Sequence, residues 1–224
     1  MSSQIFIHIG YPKAASSSLQ KNVFSKHPEI NYLMGLTESL SWKNALPNQS
    51  ALEFWKSVSF SKNINNNELK KKYKQSILPY IDDKLINMIS FEQFLLPWAV
   101  DNKTTANRLN YFLPNAKIII ILRNQIDILK SLYRYRPKAP LEPHKKYERY
   151  LSFQEWMQIN LDNYNRSFLS VLNFYETVML YSYYFGTQNI GIFLFEDLIN
   201  NIDYFTSKLS DFIKIEDQQE LKTY

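Results

Sequence analysis

The sequence predicts an α/β fold, three layers deep, with helices on either side of a short central parallel sheet. Three observations carry that expectation. Short β-type runs rich in apolar residues recur along the chain at 5–9, 85–90, 117–122 and 190–195, and a continuous run such as that at 118–122 marks a strand buried on both faces by helices. Amphipathic helical patterns alternate with them, which favours right-handed crossovers between parallel strands. The first run leads through a tight loop straight into a helical pattern, IFIHIGYPKAASSSLQKNVF over 5–24.

That first unit reads as strand, loop, helix. Ile5, Phe6, Ile7 and Ile9 lead to Gly10; then come Tyr11, Pro12 and Lys13, the small residues Ala14 and Ala15, the serines Ser16, Ser17 and Ser18, and the helical positions Leu19, Val23 and Phe24. A helix N-terminus opening on small residues offers backbone N–H groups and the positive end of a dipole, so a lysine and serines there suit a phosphate or sulfate. The phosphate loop of nucleotide hydrolases, G-x-x-x-x-G-K-[ST], does not fit, because Lys13 stands three residues after Gly10 and ahead of the serines.

Residues 27–50 show no sustained period and read as loop and short helix. After the asparagine-rich break at 63–67, Leu69, Tyr73, Ile77 and Ile81 recur every four residues, predicting a helix whose lysines 70–72 and 74 form a solvated face. LINMIS over 85–90 is the next strand. Glu92 follows it, either as a carboxylate on the edge where α/β sheets bind ligands or as a cap or lysine partner for its own segment. Lys117 to Leu122 is the clearest strand and runs into Arg123. The helix that follows should turn Ile126, Leu129, Leu132 and Tyr133 to the core and place Asp127 and Ser131 on another face. An arginine leaving a strand and a serine two turns into the next helix can converge on one phosphate. Residues 134–150 hold three prolines and seven basic residues counting His144; they read as a loop, either a lid that meets an acidic acceptor or an exposed connection. Ser152 to Glu155 is a capping box. A helix over about 168–185 should pack Leu172, Tyr175, Val178, Met179 and Ser182 inward and end at Gly186. A buried strand over 190–195 runs into Glu196, read as structural.

Composition narrows the possibilities. At 224 residues one domain over 1–224 is expected, and 45% hydrophobic residues exclude a disordered chain. The net charge of +5 fits an anionic ligand. Cysteine is absent and the three histidines, His8, His27 and His144, are scattered, so no metal site is expected. No apolar run approaches the length of a membrane span and the chain opens on a strand without a leader, so a soluble cytoplasmic protein is expected.

The 5–24 unit resembles the 5′-phosphosulfate loop of the sulfotransferase family, G-x-P-K-x-G-T-T-x-L-Q, through Gly10, Pro12, Lys13, Ser16, Ser17, Leu19 and Gln20. Ala15 stands at the family's glycine and serines stand for its threonines. KIIIILRNQIDILKSLYRY resembles the family's 3′-phosphate motif, with Arg123 and Ser131 at the matching positions and Gln125 in place of the usual proline. Ser90-Phe91-Glu92 and the run NIGIFLFEDL are also similar to family patterns. The resemblance implies a fold like that of P-loop nucleoside-triphosphate hydrolases. It implies sulfuryl transfer from 3′-phosphoadenosine-5′-phosphosulfate to an alcohol or amine, with a carbohydrate as the expected acceptor, without metal or nucleic acid.

By the same resemblance, Lys13 and Glu92 are the catalytic candidates. Pro12, Lys13, Ala14, Ala15, Ser16, Ser17, Ser18, Arg123 and Ser131 are the donor-binding ones. The family's usual closing loop would lie beyond Tyr224, so another segment is expected to cover the donor unless that cover is missing. Two other classes remain open at this point: a small-molecule kinase, which would require magnesium and ATP, and a non-catalytic nucleotide- or carbohydrate-binding protein.

Overall fold

Five parallel strands form one sheet in the order β2-β3-β1-β4-β5. They are β1 (Ile5–His8), β2 (Ile30–Tyr32), β3 (Ile86–Ser90), β4 (Lys117–Leu122) and β5 (Ile190–Leu194). A computed structural model of the chain describes residues 4–33, 49–96, 100–134 and 149–215. The three inner strands are apolar on both faces: Phe6 and Ile7, Met88 and Ile89, and Ile118 to Ile121 are all fully buried. Helices cover them, which makes those runs continuous in the sequence. Phe6 and Phe193 meet Phe212 of helix Ile202–Ile213 edge to face, and helix Phe174–Phe185 packs along β4 and β5 and against helix Asn102–Phe112. A satellite cluster of Ile128, Leu132, Leu151, Trp156 and Leu172 seats helix Gln125–Arg134 against helix Phe153–Asp162.

The α/β expectation holds, with several elements placed differently. Part of the segment read as loop, Ile30–Tyr32, is an edge strand registered on β3; residues 34–48 lie outside the described ones. The helices Gln49–Phe60 and Asn102–Phe112 had no counterpart in the sequence reading. The helix expected from Glu68 starts at Asn66, capped by the Asn65 side chain, which accepts from Glu68 N at 2.9 Å. It stops at Ser76, because Pro79 follows within a short 3₁₀ turn over Leu78–Tyr80. Ile81 is therefore not on that helix. Lys70, Lys71 and Lys74 are exposed and Lys72 pairs with Glu68 at 3.6 Å, a solvated face.

Two helix faces are corrected. In helix Gln125–Arg134 the buried positions are Ile128 and Leu132, whereas Ile126 is 61% exposed. The helix begins at Gln125 under an Asn124 cap, and its inner stripe faces the satellite cluster. The helix expected over 168–185 breaks at Leu172–Asn173, where the Asn173 side chain accepts from Glu176 N and starts a new helix at Phe174. That restart turns Thr177, Tyr181 and Phe185 inward and leaves Tyr175 and Met179 73% and 51% exposed. Gly186 does end it, at φ 85°. β5 is an edge strand buried only on alternate residues, with Ile192 and Leu194 open, not a strand covered on both faces. The capping box is present as expected: Ser152 Oγ accepts from Glu155 N, and Glu155 accepts from Ser152 N. The loop proposed as a lid falls almost wholly on residues 135–148, outside the described ones.

Candidate active site

The candidate residues gather at one edge of the sheet, where the carboxyl ends of the strands open. β1 runs into Gly10 and the lysine-serine loop, β3 into Glu92, and β4 into Arg123. β1 has β3 on one side and β4 on the other, so chain connections leave it in both directions. Such switch points are where open α/β sheets bind ligands.

The loop is held in a strained, left-handed form. Lys13 has φ 63° and Ala15 φ 62°, ψ 16°, a conformation that a side chain bearing Cβ adopts at a cost of roughly 1–2 kcal/mol. Ala15 is the residue before helix Ser16–Leu19, so the position that resembled a glycine is one where a glycine would fit without strain. Left-handed residues alternating with ordinary ones turn successive N–H groups to one side, a concavity suited to an anion. Ala14 is fully buried and its N–H closes the turn on Tyr11 O at 3.3 Å. The helix continues from Gln20 to Phe24 as a π turn, with Gln20 facing inward. Its Nε2 donates to Ser90 Oγ at 2.8 Å, and Ser90 Oγ lies 2.7 Å from His8 Nδ1. A buried polar group thus ties β1, β3 and the first helix together beneath the loop. Within it His8 Nε2 and Gln20 Oε1 have no partner among the described residues.

The three serines differ in placement. Ser16 is buried, with its hydroxyl directed to Tyr11 O at 3.5 Å and against Glu92; Ser17 is exposed and Ser18 half-buried. Gly10 explains how closely these parts approach. A Cβ there would stand 2.7 Å from Ser16 Oγ, 3.1 Å from Glu92 Cγ and 3.3 Å from His8 Cε1.

Electrostatics couple the lysine and the glutamate. Burial pushes the Glu92 carboxyl above its usual range, while the Ser16 hydroxyl and the Lys13 charge pull it back. Burial holds Lys13 below its usual value, offset by Glu92 and reinforced by the nearby Arg123. Glu92 opens a 3₁₀ turn over Glu92–Leu95, whose N-cap, Phe91, makes no side-chain cap bond.

Arg123 joins the end of β4 to the lysine-serine loop. Its Nη1 donates to the Lys13 carbonyl at 2.7 Å, and its guanidinium lies over the Phe195 ring at 4.3 Å. Ser131 sits half-buried on the following helix and makes no hydrogen bond to Arg123 among the described residues. Sequence reasoning missed Phe195, and it read Glu196 as structural without a partner: Glu196 Oε1 accepts from Asn124 N at 2.8 Å. Their position directly after the strand beside β4 was the available signal. Next to Ala15 and Ser18 lies an apolar cleft of about 490 Å³, walled by Leu19, Phe195, Leu198 and Phe205 among others. Among the described residues, no group of three His, Asp or Glu is placed to hold a metal ion, and no helix is long and apolar enough to cross a membrane.

The model of the sulfotransferase domain matches residues 4–224. The chain belongs to the sulfotransferase family. The sulfotransferase from Alicyclobacillus acidocaldarius is similar at TM-score 0.64 and 20% identity, over 97% of this chain and 83% of that one. Mouse sulfotransferase SULT7A1, solved in complex with PAP, is similar at TM-score 0.55 and 12% identity, over 98% and 61%. The sulfotransferase domain from the curacin biosynthetic pathway is similar at 0.52 and 16%, over 99% and 77%. These likenesses show a shared fold, P-loop-like with a central parallel sheet, and the family match makes the chain an enzyme of sulfuryl transfer. A search of curated proteins gave no match.

Proposed function

We propose that residues 1–224 act as one unit that moves a sulfuryl group from 3′-phosphoadenosine-5′-phosphosulfate to a hydroxyl or amine acceptor, with a saccharide as the acceptor class. The observation that carries the donor assignment is the bond from Arg123 to the Lys13 carbonyl. It brings Arg123 and the Lys13 loop, 110 residues apart in sequence, into contact, which supports a nucleotide phosphorylated at both ends of its ribose. The 490 Å³ cleft beside Ala15 and Ser18 has room and an apolar wall for the base. A similar fold solved with PAP supports the same donor. The saccharide rests on the cationic composition of 134–150.

In this reading the loop N–H groups, Ser17 and Ser18 hold the 5′-phosphate, while Pro12, Ala14 and Ala15 shape the turn around it. Ser16, turned inward, orients Glu92. Arg123 and Ser131 grip the 3′-phosphate. The acceptor oxygen or nitrogen bonds to sulfur as the bond from sulfur to the bridging oxygen breaks, and the acceptor proton passes to Glu92, whose burial makes it a stronger base than an exposed carboxylate. Lys13 stabilises the charge that builds on the bridging oxygen. A lysine in that place needs no metal beside it, so turnover should survive EDTA; loss with chelator and recovery with magnesium would move the reaction to phosphoryl transfer.

The test is calorimetric titration with 3′-phosphoadenosine 5′-phosphate and with AMP. The first should bind more tightly, and Arg123→Ala should remove much of that preference, since a hydrogen bond to a charged group contributes about 1.5–3 kcal/mol. Equal affinities in the wild type would refute the donor assignment. A panel of saccharides and phenols with labelled donor then identifies the acceptor; donor binding without transfer to any of them would leave a binding protein.

A further inference from the structure

We infer that Glu196, together with Phe195, is a positioning element that sets Arg123 to distinguish a 3′-phosphate. The inference rests on the reading above that Arg123 holds that phosphate. β4 and β5 pair in parallel with Leu122 opposite Leu194, so the two residues that leave β4, Arg123 and Asn124, run beside Phe195 and Glu196. Each of the pair makes one contact across this step. Phe195 covers one face of the guanidinium at 4.3 Å, and Glu196 Oε1 accepts from Asn124 N at 2.8 Å. An arginine side chain is otherwise free to sample many rotamers, and ordering it on ligand binding is costly. Here one guanidinium N–H is fixed on the Lys13 carbonyl, one face is covered by an aromatic ring, and the backbone that carries it is pinned by a carboxylate. The remaining N–H edge is left to meet an anion in the fork geometry suited to phosphate.

A carboxylate so close to an anion site is unfavourable for anion binding by charge alone. Its contribution therefore comes from accepting the Asn124 N–H, which a neutral amide oxygen can also do. This separates positioning from the two alternatives. A residue that only stabilises the fold would change melting without changing nucleotide preference. A residue that acts only by its charge would raise phosphate affinity equally when replaced by alanine or glutamine.

The experiment is calorimetry of full-length wild type, Glu196→Ala, Glu196→Gln, Phe195→Leu and Phe195→Tyr with 3′-phosphoadenosine 5′-phosphate and with AMP, beside thermal melts. Glu196→Ala should lower the affinity ratio of the two nucleotides about five- to tenfold, the size of a lost hydrogen bond, while Glu196→Gln keeps the ratio within about twofold. Phe195→Leu should lower the ratio and Phe195→Tyr restore it; this pair decides the matter if Glu196→Ala does not fold. A ratio that collapses in Arg123→Ala but is untouched in Glu196→Ala and Phe195→Leu overturns this inference alone. A matching rise in affinity for both Glu196 variants overturns it too. A wild type that binds both nucleotides equally overturns it together with the donor assignment.

Discussion

Lowering the pH from 7 to 5 should destabilise the protein through one side chain, His8. The imidazole is fully buried at the end of β1, and burial holds its pKa down to about 3, against an ordinary value of 6.5. Between those two values the unfolded chain binds a proton that the folded chain refuses, so stability is fully present above 6.5 and falls as the pH drops towards 3. From pH 7 to 5 the loss amounts to about 2 kcal/mol, at about 1.4 kcal/mol per unit over the roughly 1.4 units in which the two states differ. For a chain of this size that is a fall of about 4–8 °C in Tm. The assay is urea unfolding at pH 7, 6 and 5 of the wild type and of His8→Gln, which lacks the titrating ring. All other titrating groups are common to both proteins, so the difference between the two pH profiles isolates His8. Equal losses in the two proteins over this range would refute the claim that burial keeps His8 neutral.

Lys13→Ala should lower turnover about 10²–10³-fold with a smaller loss of donor affinity, because the charge it meets is greatest in the transition state; unchanged turnover in a labelled-transfer assay would remove it from the reaction. Glu92→Gln should lower turnover about 10²–10⁴-fold with donor affinity kept. In the wild type the rate should fall with acid at a pH above the ordinary carboxylate value of 4.5, since burial raises the Glu92 pKa and a base must be ionised to act; a pH-rate profile without that limb would return Glu92 to a structural role. Gly10→Ala places a Cβ 2.7 Å from Ser16 Oγ and 3.1 Å from Glu92 Cγ, so it should weaken both donor binding and turnover. A variant with wild-type kinetics would show that the loop can yield there at no cost.

The parts of the site that could be read in the sequence are those where an apolar run ends on a chemically distinct residue. β1 runs on into Gly10 and Lys13, β3 into Glu92 and β4 into Arg123, and buried runs mark such strands plainly. β2 was hidden because Ile30–Tyr32 is three residues long and only Ile30 is buried. Helix Asn102–Phe112 was hidden because it buries only Thr105, Ala106 and Leu109, too narrow a stripe to set a period. The inward face of helix Phe174–Phe185 was misplaced because the chain restarts at Asn173, and aromatic residues such as Tyr175 suit an exposed position as readily as a buried one. Glu196 was seen as structural, and its partner could not be known without the register of β4 on β5. Ala15 could be read both ways: the sequence showed that a glycine was replaced, and the structure shows that the left-handed turn survives the replacement.

The strand order has a consequence for how the chain acquires its site during synthesis. β1 is made first yet lies at the centre of the sheet, with Ile7 beside Ile89 on one side and Ile118 on the other. Pairings so distant in sequence form slowly, because a long loop must close before they are rewarded. A nascent chain that has not yet produced β4 has the lysine-serine loop without Arg123 to hold the Lys13 carbonyl. Ligand affinity should therefore arise in a single late step once residues beyond 123 have left the ribosome, and shorter fragments from the N-terminus should not bind donor with partial strength.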